Sequence, residues 1–466
     1  MDTNEIQSFL FNYVKELHND NSALFVGAGL SMDSGGLNWK ELLREDAHSI
    51  GLDVEEEKED LVSVAQYIYN ETGSRNTISQ LIKNKIKTDG KENEKHKIIS
   101  SLPIKTIWTT NYDHYLENAF ERTGKIVDVK KSVSDMSINT ENSDLKIYKM
   151  HGDVTIPESA ILIKDDYEIY DRKNEIFLNK LKADLTSKTF LFLGFSFEDP
   201  NLKSILGKVR IMLEGNTRMH YCIMKQKIRK DCKTEKEFNY QRIKENLFKN
   251  DLLRYGIKVL YINEYNDLDK VLRNIKRLYL ANRIFVSGAY EDVGETIKLK
   301  SEKISADKFC EKLGKRLSEE GYIVTNALSP GVGRNLASGF INNEIKTNII
   351  KSKFKVRPFP IYNNTKKYKK YRKSLLKECG VTIYLFGNKF DEEKNLVISD
   401  GMIKEYKISE KLGLYNLPIR QTGHAAEKIY KKLHKNNKQK KFETVDELVE
   451  DIIMKLDDNK RKRGEF

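Results

Sequence analysis

The chain is expected to fold as an α/β protein with two domains, each built on a parallel sheet. Three observations carry that expectation. Apolar runs of strand length alternate with stretches of helical periodicity, the pattern of buried strands joined by crossover helices. A buried strand opening onto a glycine turn occurs twice, at "SALFVGAG" (22–29) and "RIFVSGAY" (283–290). The 466 residues also exceed what one hydrophobic core usually serves.

In chain order, "SALFVGAG" is a strand entering a glycine turn and "NWKELLREDAHSIG" (38–51) the helix beyond it. From 52 to 101 the pattern is helical and charged, as in "EDLVSVAQYIYNETG" and "TISQLIKNKIKTDG", and reads as an inserted helical module. "TIWTT" (106–110) is a strand and "NYDHYLENAFERTG" the helical stretch after it. Strands follow at "LKIYKM" (145–150), "AILIKDD" (160–166), "KTFLFLG" (188–194), "MHYCIM" (219–224) and "IKVLYI" (257–262). A helix over 267–283 leads into "RIFVSGAY", so a boundary is placed near 280, dividing the chain into 1–280 and 281–466. The second domain continues with a helix and strand in "FCEKLGKRLSEEGYIVTNA" (309–327) and strands at "VTIYLFGNK" (381–389) and "LPIRQTG" (417–423).

Composition narrows the function classes. Apolar residues at 39% with plentiful Leu, Ile, Val and Phe argue against global disorder. No apolar run is long enough for a transmembrane helix, and the first residues lack the basic start and cleavage site of a signal peptide. The four cysteines, Cys222, Cys232, Cys310 and Cys379, form no CxxC pair. That argues against a zinc ribbon or disulfide framework, so no metal is expected and a reducing, cytoplasmic location is. The net charge of +13 attracts polyanions in principle. Its excess sits in late runs at 363–373, 431–441 and 459–466, which solvated faces and tails explain, with a phosphate-bearing small ligand the next reading. Neither nucleic acid nor a membrane is expected as a partner.

Four strand ends bear polar or glycine motifs. "GAGLS", Gly27 to Ser31, lets backbone N–H groups approach a pyrophosphate. It is neither GxGxxG nor a P-loop, since Met32 takes the third glycine position, and a tight βα turn explains it equally well. "TTNYDHY" (109–115) places Asn111 and Asp113 at a strand end, where Asn111 could equally be a helix N-cap. "YKMHGDV" (148–154) puts His151, the residue type suited to proton transfer, before Gly152, which lets another group come close. "GFSFEDPNL" (194–202) brings Gly194 and Ser196 to the same edge. A lone histidine is more often structural; convergence of four such ends is harder to dismiss.

The order GAGLS, TNYD, HGD, GFS resembles the sirtuin NAD-binding fold over about residues 10–265. The resemblance implies NAD+ contacts from Gly27, Ala28, Gly29, Ser31, Asp113, Gly194 and Ser196, and a catalytic pair of His151 and Asn111. Thr110 stands where sirtuins have Gln, and Asn38-Trp39 where they have Asp-Phe. The zinc-binding cysteines of protein deacylases are absent, so NAD+ cleavage is expected, with protein deacylation as the alternative. In that chemistry His151 is the general base and Asn111 orients ribose or water without adding charge.

In the second domain "VSGAY", "SPGVGRN", "KVRPFP" and "GNK" mark further strand ends and turns. Gly288, Gly331 and Gly333 could cradle phosphates, Arg372 and Lys389 neutralise them, and Glu405 hold a ribose diol. This half resembles the SLOG family of Rossmann-like nucleotide-sensing domains. A sirtuin-like domain followed by a SLOG domain resembles the effectors of Thoeris antiphage defence. That implies an NAD+ hydrolase, silent until its SLOG domain binds a cyclic ADP-ribose isomer made by a TIR-domain partner, which then depletes cellular NAD+. It also implies a homotetramer or larger assembly. The matching signal-binding positions are Ser287, Gly288, Gly333, Arg372, Lys389 and Glu405.

Overall fold

The computed structural model describes residues 3–56, 60–86, 90–197, 199–291, 294–348, 353–359, 365–434 and 440–464. They form two compact units, one up to Lys276 and one from Arg277 onward. The division falls inside the helix Tyr265–Ala281.

The first unit holds strands β1 (Ser22–Val26), β2 (Thr106–Thr109), β3 (Val127–Lys130), β4 (Leu145–Lys149), β5 (Thr189–Leu193), β6 (His220–Lys225) and β7 (Ile257–Ile262). They lie in the order β3-β4-β2-β1-β5-β6-β7, with every pairing parallel. β1 and β5 are buried along their whole length, as their unbroken apolar sequence requires of a sheet covered on both faces. Trp108 on β2 stacks on its register partner Tyr148 on β4 at 4.4 Å, and Phe25 stacks on Phe192 at 5.4 Å. Each such buried aromatic contributes roughly 1.5–3 kcal/mol through its area alone.

Register decides where the site sits. Val26 pairs with Thr109 and Leu193, and Thr109 pairs with Lys149. The next residues, Gly27, Thr110, Met150 and Gly194, therefore leave the sheet side by side. The chain passes from β4 to β5 across β1, so the strand order reverses there, and ligands bind beyond strand ends at such a switch point.

The inserted module forms helices Leu61–Thr72, Arg75–Lys85 and Glu94–Ser100, capped by Asp60, Ser74 and Asn93. Its apolar faces close on Leu42, Leu43 and Ala47 and on Tyr112, Val154, Ala160, Leu162 and Ile163. That packing explains one misreading. "AILIKDD" is apolar because the module buries it, yet it is not a strand. Asp166 accepts the N–H groups of Leu162 and Ile163 in place of a neighbouring strand, and a helix begins at Lys164. β3 escaped the sequence reading because Asp128 and Lys130, paired at 2.9 Å, interrupt its apolar pattern.

The second unit holds β8 (Arg283–Ala289), β9 (Thr296–Lys298), β10 (Lys303–Ser305), β11 (Ile323–Asn326), β12 (Phe354–Val356), β13 (Val381–Phe386), β14 (Asn388–Phe390), β15 (Leu396–Ile398) and β16 (Tyr415–Pro418). Its main sheet is parallel in the order β12-β11-β8-β13-β16, with two small antiparallel pairs, β9–β10 and β14–β15. "VTIYLFGNK" is thus two strands broken at Gly387, and "LPIRQTG" ends its strand at Pro418 before a short turn of helix. Of the run at 459–466, residues 465–466 lie outside the described residues, and Arg461 and Lys462 are exposed as a solvated face requires, but Arg463 is not. The helix Val445–Gly464 ends within this run, where buried Arg463 donates to the Gly380 carbonyl at 2.8 Å. The run at 431–441 lies partly, at 435–439, outside the described residues, and that at 363–373 at 363–364. No helix among the described residues is long and apolar enough to cross a membrane.

Candidate active site

The glycine turns after β1 and β5 pack backbone on backbone. Gly27 N–H donates to Leu193 O at 2.9 Å and Gly29 N–H to Gly194 O at 3.0 Å. A Cβ on Gly27 would lie 2.5 Å from Gly194 O; one on Gly194, whose φ is +63°, would lie 2.3 Å from Leu30 N. "GAGLS" does not enter an α-helix directly. Ala28–Leu30 and Met32–Ser34 are short 3-10 turns, and the α-helix starts at Trp39 behind a capping box between Asn38 and Glu41. Any pyrophosphate there meets turn N–H groups rather than a long helix dipole.

Asn111 is not a helix cap. Its N–H donates to Thr109 Oγ1 at 3.0 Å, and Thr109 Oγ1 donates to Val26 O at 2.9 Å, tying the end of β2 to β1. Its Nδ2 donates to buried Ser31 Oγ at 3.3 Å, which leaves Oδ1 buried with no partner among the described residues. Asp113 serves the following helix instead, accepting Tyr115 N–H at 3.2 Å. A cleft beside Asn111 is lined by Ala28, Gly36, Trp39, Thr110, Asp113 and Tyr115.

His151 follows β4 and is 2% exposed. Its Nε2 lies 3.1 Å from Asp199 Oδ2, close without being linear, and neither ring nitrogen completes an aligned hydrogen bond. The rings of Tyr167 and Tyr170 stand edge-on to it at 5.6 and 6.4 Å. Gly152, at φ +88°, has the backbone of Ala160 as its close neighbour, which a Cβ would approach to 3.2 Å, so its freedom serves this turn. Ser196 stands exposed at the same edge. The sheet thus brings Ser31, Asn111 and Asp113 together, and sets His151 on the adjoining strand end against Asp199.

Two residues here escaped the sequence reading. Asp199 was visible only as an Asp-Pro helix start, a cap signature. Lys149 was hidden as a charge inside an apolar strand, yet its ammonium is wholly buried. It donates to Tyr112 O at 3.1 Å and Asp113 O at 2.6 Å, and lies 3.1 Å from Glu117 and 2.6 Å from Asp153. His114 adds a contact to Asp153 at 3.0 Å and Lys131 one at 3.4 Å. Burial would raise the Asp153 carboxyl, but His114 and Lys149 outweigh it and hold it well below the usual carboxylate range. His114, Glu117 and Asp153 are close enough to share a metal ion, but the Lys149 ammonium already stands among them.

In the second unit, Ser287 at the end of β8 donates to Glu405 Oε2 at 2.6 Å, and Arg372 Nε lies 3.3 Å from Glu405 Oε1. The guanidinium stacks over Phe359 at 4.8 Å. Burial raises the Glu405 carboxyl, against the pull of Ser287 and Arg372. Lys389 stands apart, on the β14–β15 pair, 3.0 Å from Asp400. Gly288 packs on β13, where a Cβ would lie 2.4 Å from Leu385 O. Gly331 and Gly333 flank the start of the helix Val332–Lys346, facing Tyr290 and Asn326. Asn388 of the GNK turn forms a further cluster with Glu295 and His424, two residues that carried no sequence motif.

Two family models match the chain in order. A SIR2-like domain model matches residues 105–245, and a model of the Sir2- and TIR-associating SLOG family matches residues 267–466. The chain is 37% identical over 434 residues to the NAD(+) hydrolase ThsA of Enterococcus faecium, covering 91% of this chain and 89% of that one. It is 38% identical to the protein of the same name from Bacillus cereus, covering 92% and 90%. Defense-associated sirtuin 2 of Bacillus subtilis is 27% identical over 214 residues, 44% of this chain and 21% of that protein.

Proposed function

The chain belongs to the ThsA family of NAD(+) hydrolases, and we propose that its first unit cleaves NAD+ at the Asn111–His151 edge under control of its second unit. It is an NAD+ hydrolase of antiphage defence. The observation that carries the site assignment is the level alignment of four strand ends, with the unspent Asn111 Oδ1 and the buried His151 ring on neighbouring strands.

The chemistry follows from those groups. The bond between ribose C1′ and the nicotinamide nitrogen breaks, its electron pair leaving with neutral nicotinamide. A water oxygen bonds to C1′ and its proton passes to His151, giving ADP-ribose. Asn111 Oδ1 accepts from that water or from a ribose hydroxyl and fixes its direction. Gly27, Ala28, Gly29, Ser31 and Gly194 receive the pyrophosphate side, Asp113 a ribose hydroxyl, and Ser196 the outer rim.

The second unit binds a cyclic ADP-ribose isomer, made by a TIR-domain partner, at the edge of Ser287, Gly288, Gly333, Arg372, Lys389 and Glu405. Binding there switches on cleavage and depletes cellular NAD+. The active form is a homotetramer or larger assembly. Tyr240, Ile243 and Leu247 form an exposed apolar stripe on the helix Glu235–Leu253 that such an assembly could cover. The alternative, NAD-dependent protein deacylation, is disfavoured by cysteines that are each buried and unpaired in separate places.

The test is chromatography of NAD+ incubated with the full chain, with and without cyclic ADP-ribose isomers. Nicotinamide and ADP-ribose should appear without any acylated substrate. His151→Ala should lower the rate about 10²–10⁴-fold. Asn111→Ala should do likewise while still binding NAD+. Parental turnover in either variant would remove that residue from the mechanism.

A further inference from the structure

We infer that Asp199 is a positioning residue for this cleavage: it fixes which nitrogen of His151 carries the proton and so which one receives the proton of the attacking water. The inference rests on His151 being the base.

Asp199 is anchored on three sides. Its Oδ1 accepts Leu202 N–H at 2.8 Å, capping the helix Pro200–Met212. Its Oδ2 lies 3.1 Å from His151 Nε2 and accepts the Tyr167 hydroxyl at 3.4 Å. Two residues before it, Phe197 is buried at φ +62°. The carboxyl is nearly buried, which alone would raise it. The Leu202 N–H and the Tyr167 hydroxyl favour its charged form whatever the state of the ring, and once His151 is protonated its charge and contact outweigh burial and draw the carboxyl below the usual carboxylate value.

An ionised carboxylate only accepts hydrogen bonds. The imidazole nitrogen facing it must therefore hold the ring's proton, and the other nitrogen, Nδ1, keeps its lone pair. Neither ring nitrogen completes an aligned hydrogen bond among the described residues, but Nε2 faces the Asp199 carboxylate at 3.1 Å and Nδ1 faces away from it. The other titratable groups against the ring among the described residues are Tyr167 and Tyr170, whose hydroxyls burial pushes far above neutrality, so they stay uncharged. Tyr112, which also senses Asp199, is likewise neutral. Among the described residues, Asp199 is thus the charged group in direct contact with His151. When Nδ1 takes the water's proton, the imidazolium forms against a carboxylate already in place.

The cap and the proton-placing roles can be separated. Asn caps helices about as well as Asp, so Asp199→Asn keeps the Leu202 contact. Its amide can, however, turn an N–H toward Nε2, favouring the tautomer with the proton on Nδ1, which cannot act as base. Two measurements on the full chain decide. The first is the NMR signature of isotope-labelled histidine nitrogens, with His151 assigned by its loss in His151→Ala. The parental ring should carry its proton on Nε2, and Asp199→Asn should shift it to Nδ1. The second is NAD+ cleavage at single turnover across about pH 5 to 9. Asp199→Asn should melt with the parental protein and keep its KM, yet turn over about 10²-fold or more slowly. Its acid limb should move to lower pH, because the imidazolium has lost its counter-charge. An unchanged His151 tautomer in Asp199→Asn, or a parental rate with an unchanged pH profile, overturns the inference. A parental rate in His151→Ala overturns the base assignment instead.

Discussion

Lys149 Nζ lies 2.6 Å from Asp153 Oδ2, and both side chains are wholly shielded from solvent. The same ammonium holds the carbonyls of Tyr112 and Asp113. One buried cation therefore ties the loop bearing Asn111 to the loop bearing His151. Lys149→Met fits the volume but leaves Glu117 and Asp153 short of a partner. Removing one member of a buried ion pair costs about 3–5 kcal/mol. Calorimetry should show the first unit's transition several degrees lower, with NAD+ turnover reduced at temperatures where the protein stays folded. An unmoved transition would show that Lys131 and His114 alone balance Asp153.

Gly194→Ala should be far more damaging than Gly51→Ala. Both glycines have positive φ, so both variants meet roughly the same backbone strain of about 1 kcal/mol. A Cβ on Gly51 meets nothing within 4 Å, whereas one on Gly194 meets Leu30 N at 2.3 Å and must push "GAGLS" away from β5. NAD+ affinity and turnover should fall together in Gly194→Ala and hold in Gly51→Ala. Equal effects would mean strain alone decides.

Acid should destabilise the first unit through two buried histidines. Burial, with Lys95 adding to it, pushes His96 down to about 4; burial, then Arg218, pushes His220 down to about 3. Both are neutral in the fold and protonate near 6.5 when unfolded. Their contribution is complete above 6.5 and is lost as pH falls toward those lower values, amounting to roughly 3 kcal/mol for His96 at about pH 4. Neither ring nitrogen of His96 has a partner among the described residues, and the ring stacks on Tyr115 at 5.6 Å. His96→Phe should therefore fold and flatten the melting temperature's dependence on pH between about 7 and 4. A slope equal to the parental one would place the acid sensitivity elsewhere.

The strand ends were legible because strand period and glycine turns are local signals. Four motifs in order implied one edge, and the register of Val26, Thr109, Lys149 and Leu193 gives that edge its physical form. What failed was non-local. "AILIKDD" looks like a strand until the helical module that buries it is seen. Lys149 and Asp199 matter through partners far along the chain, Glu117 and His151, which no window around either residue reveals. Arg463 read as part of a solvated run because its acceptor, Gly380, is more remote still.

The two cations proposed to grip the signal should not be equivalent. Arg372 is largely buried, stacked on Phe359 and paired with Glu405; Lys389 is 43% exposed and paired with Asp400. A phosphate arriving at Arg372 gains a shielded, charge-assisted contact, contributing about 1.5–3 kcal/mol, or a ten- to hundredfold change in signal affinity. Exposed pairs contribute about 0–1 kcal/mol, so Lys389→Ala should move the activation midpoint less than about fivefold. Arg372→Ala also strands Glu405, already raised by burial, and so confounds lost grip with a disturbed site. The double variant Arg372→Ala with Glu405→Gln removes that charge and keeps an acceptor for Ser287. NAD+ hydrolysis should be titrated with a cyclic ADP-ribose isomer in all three variants. If grip is the cause, the double variant responds as poorly as Arg372→Ala alone. Recovery in the double variant would assign the loss to the stranded carboxylate, and parental midpoints throughout would move the sensor away from this edge.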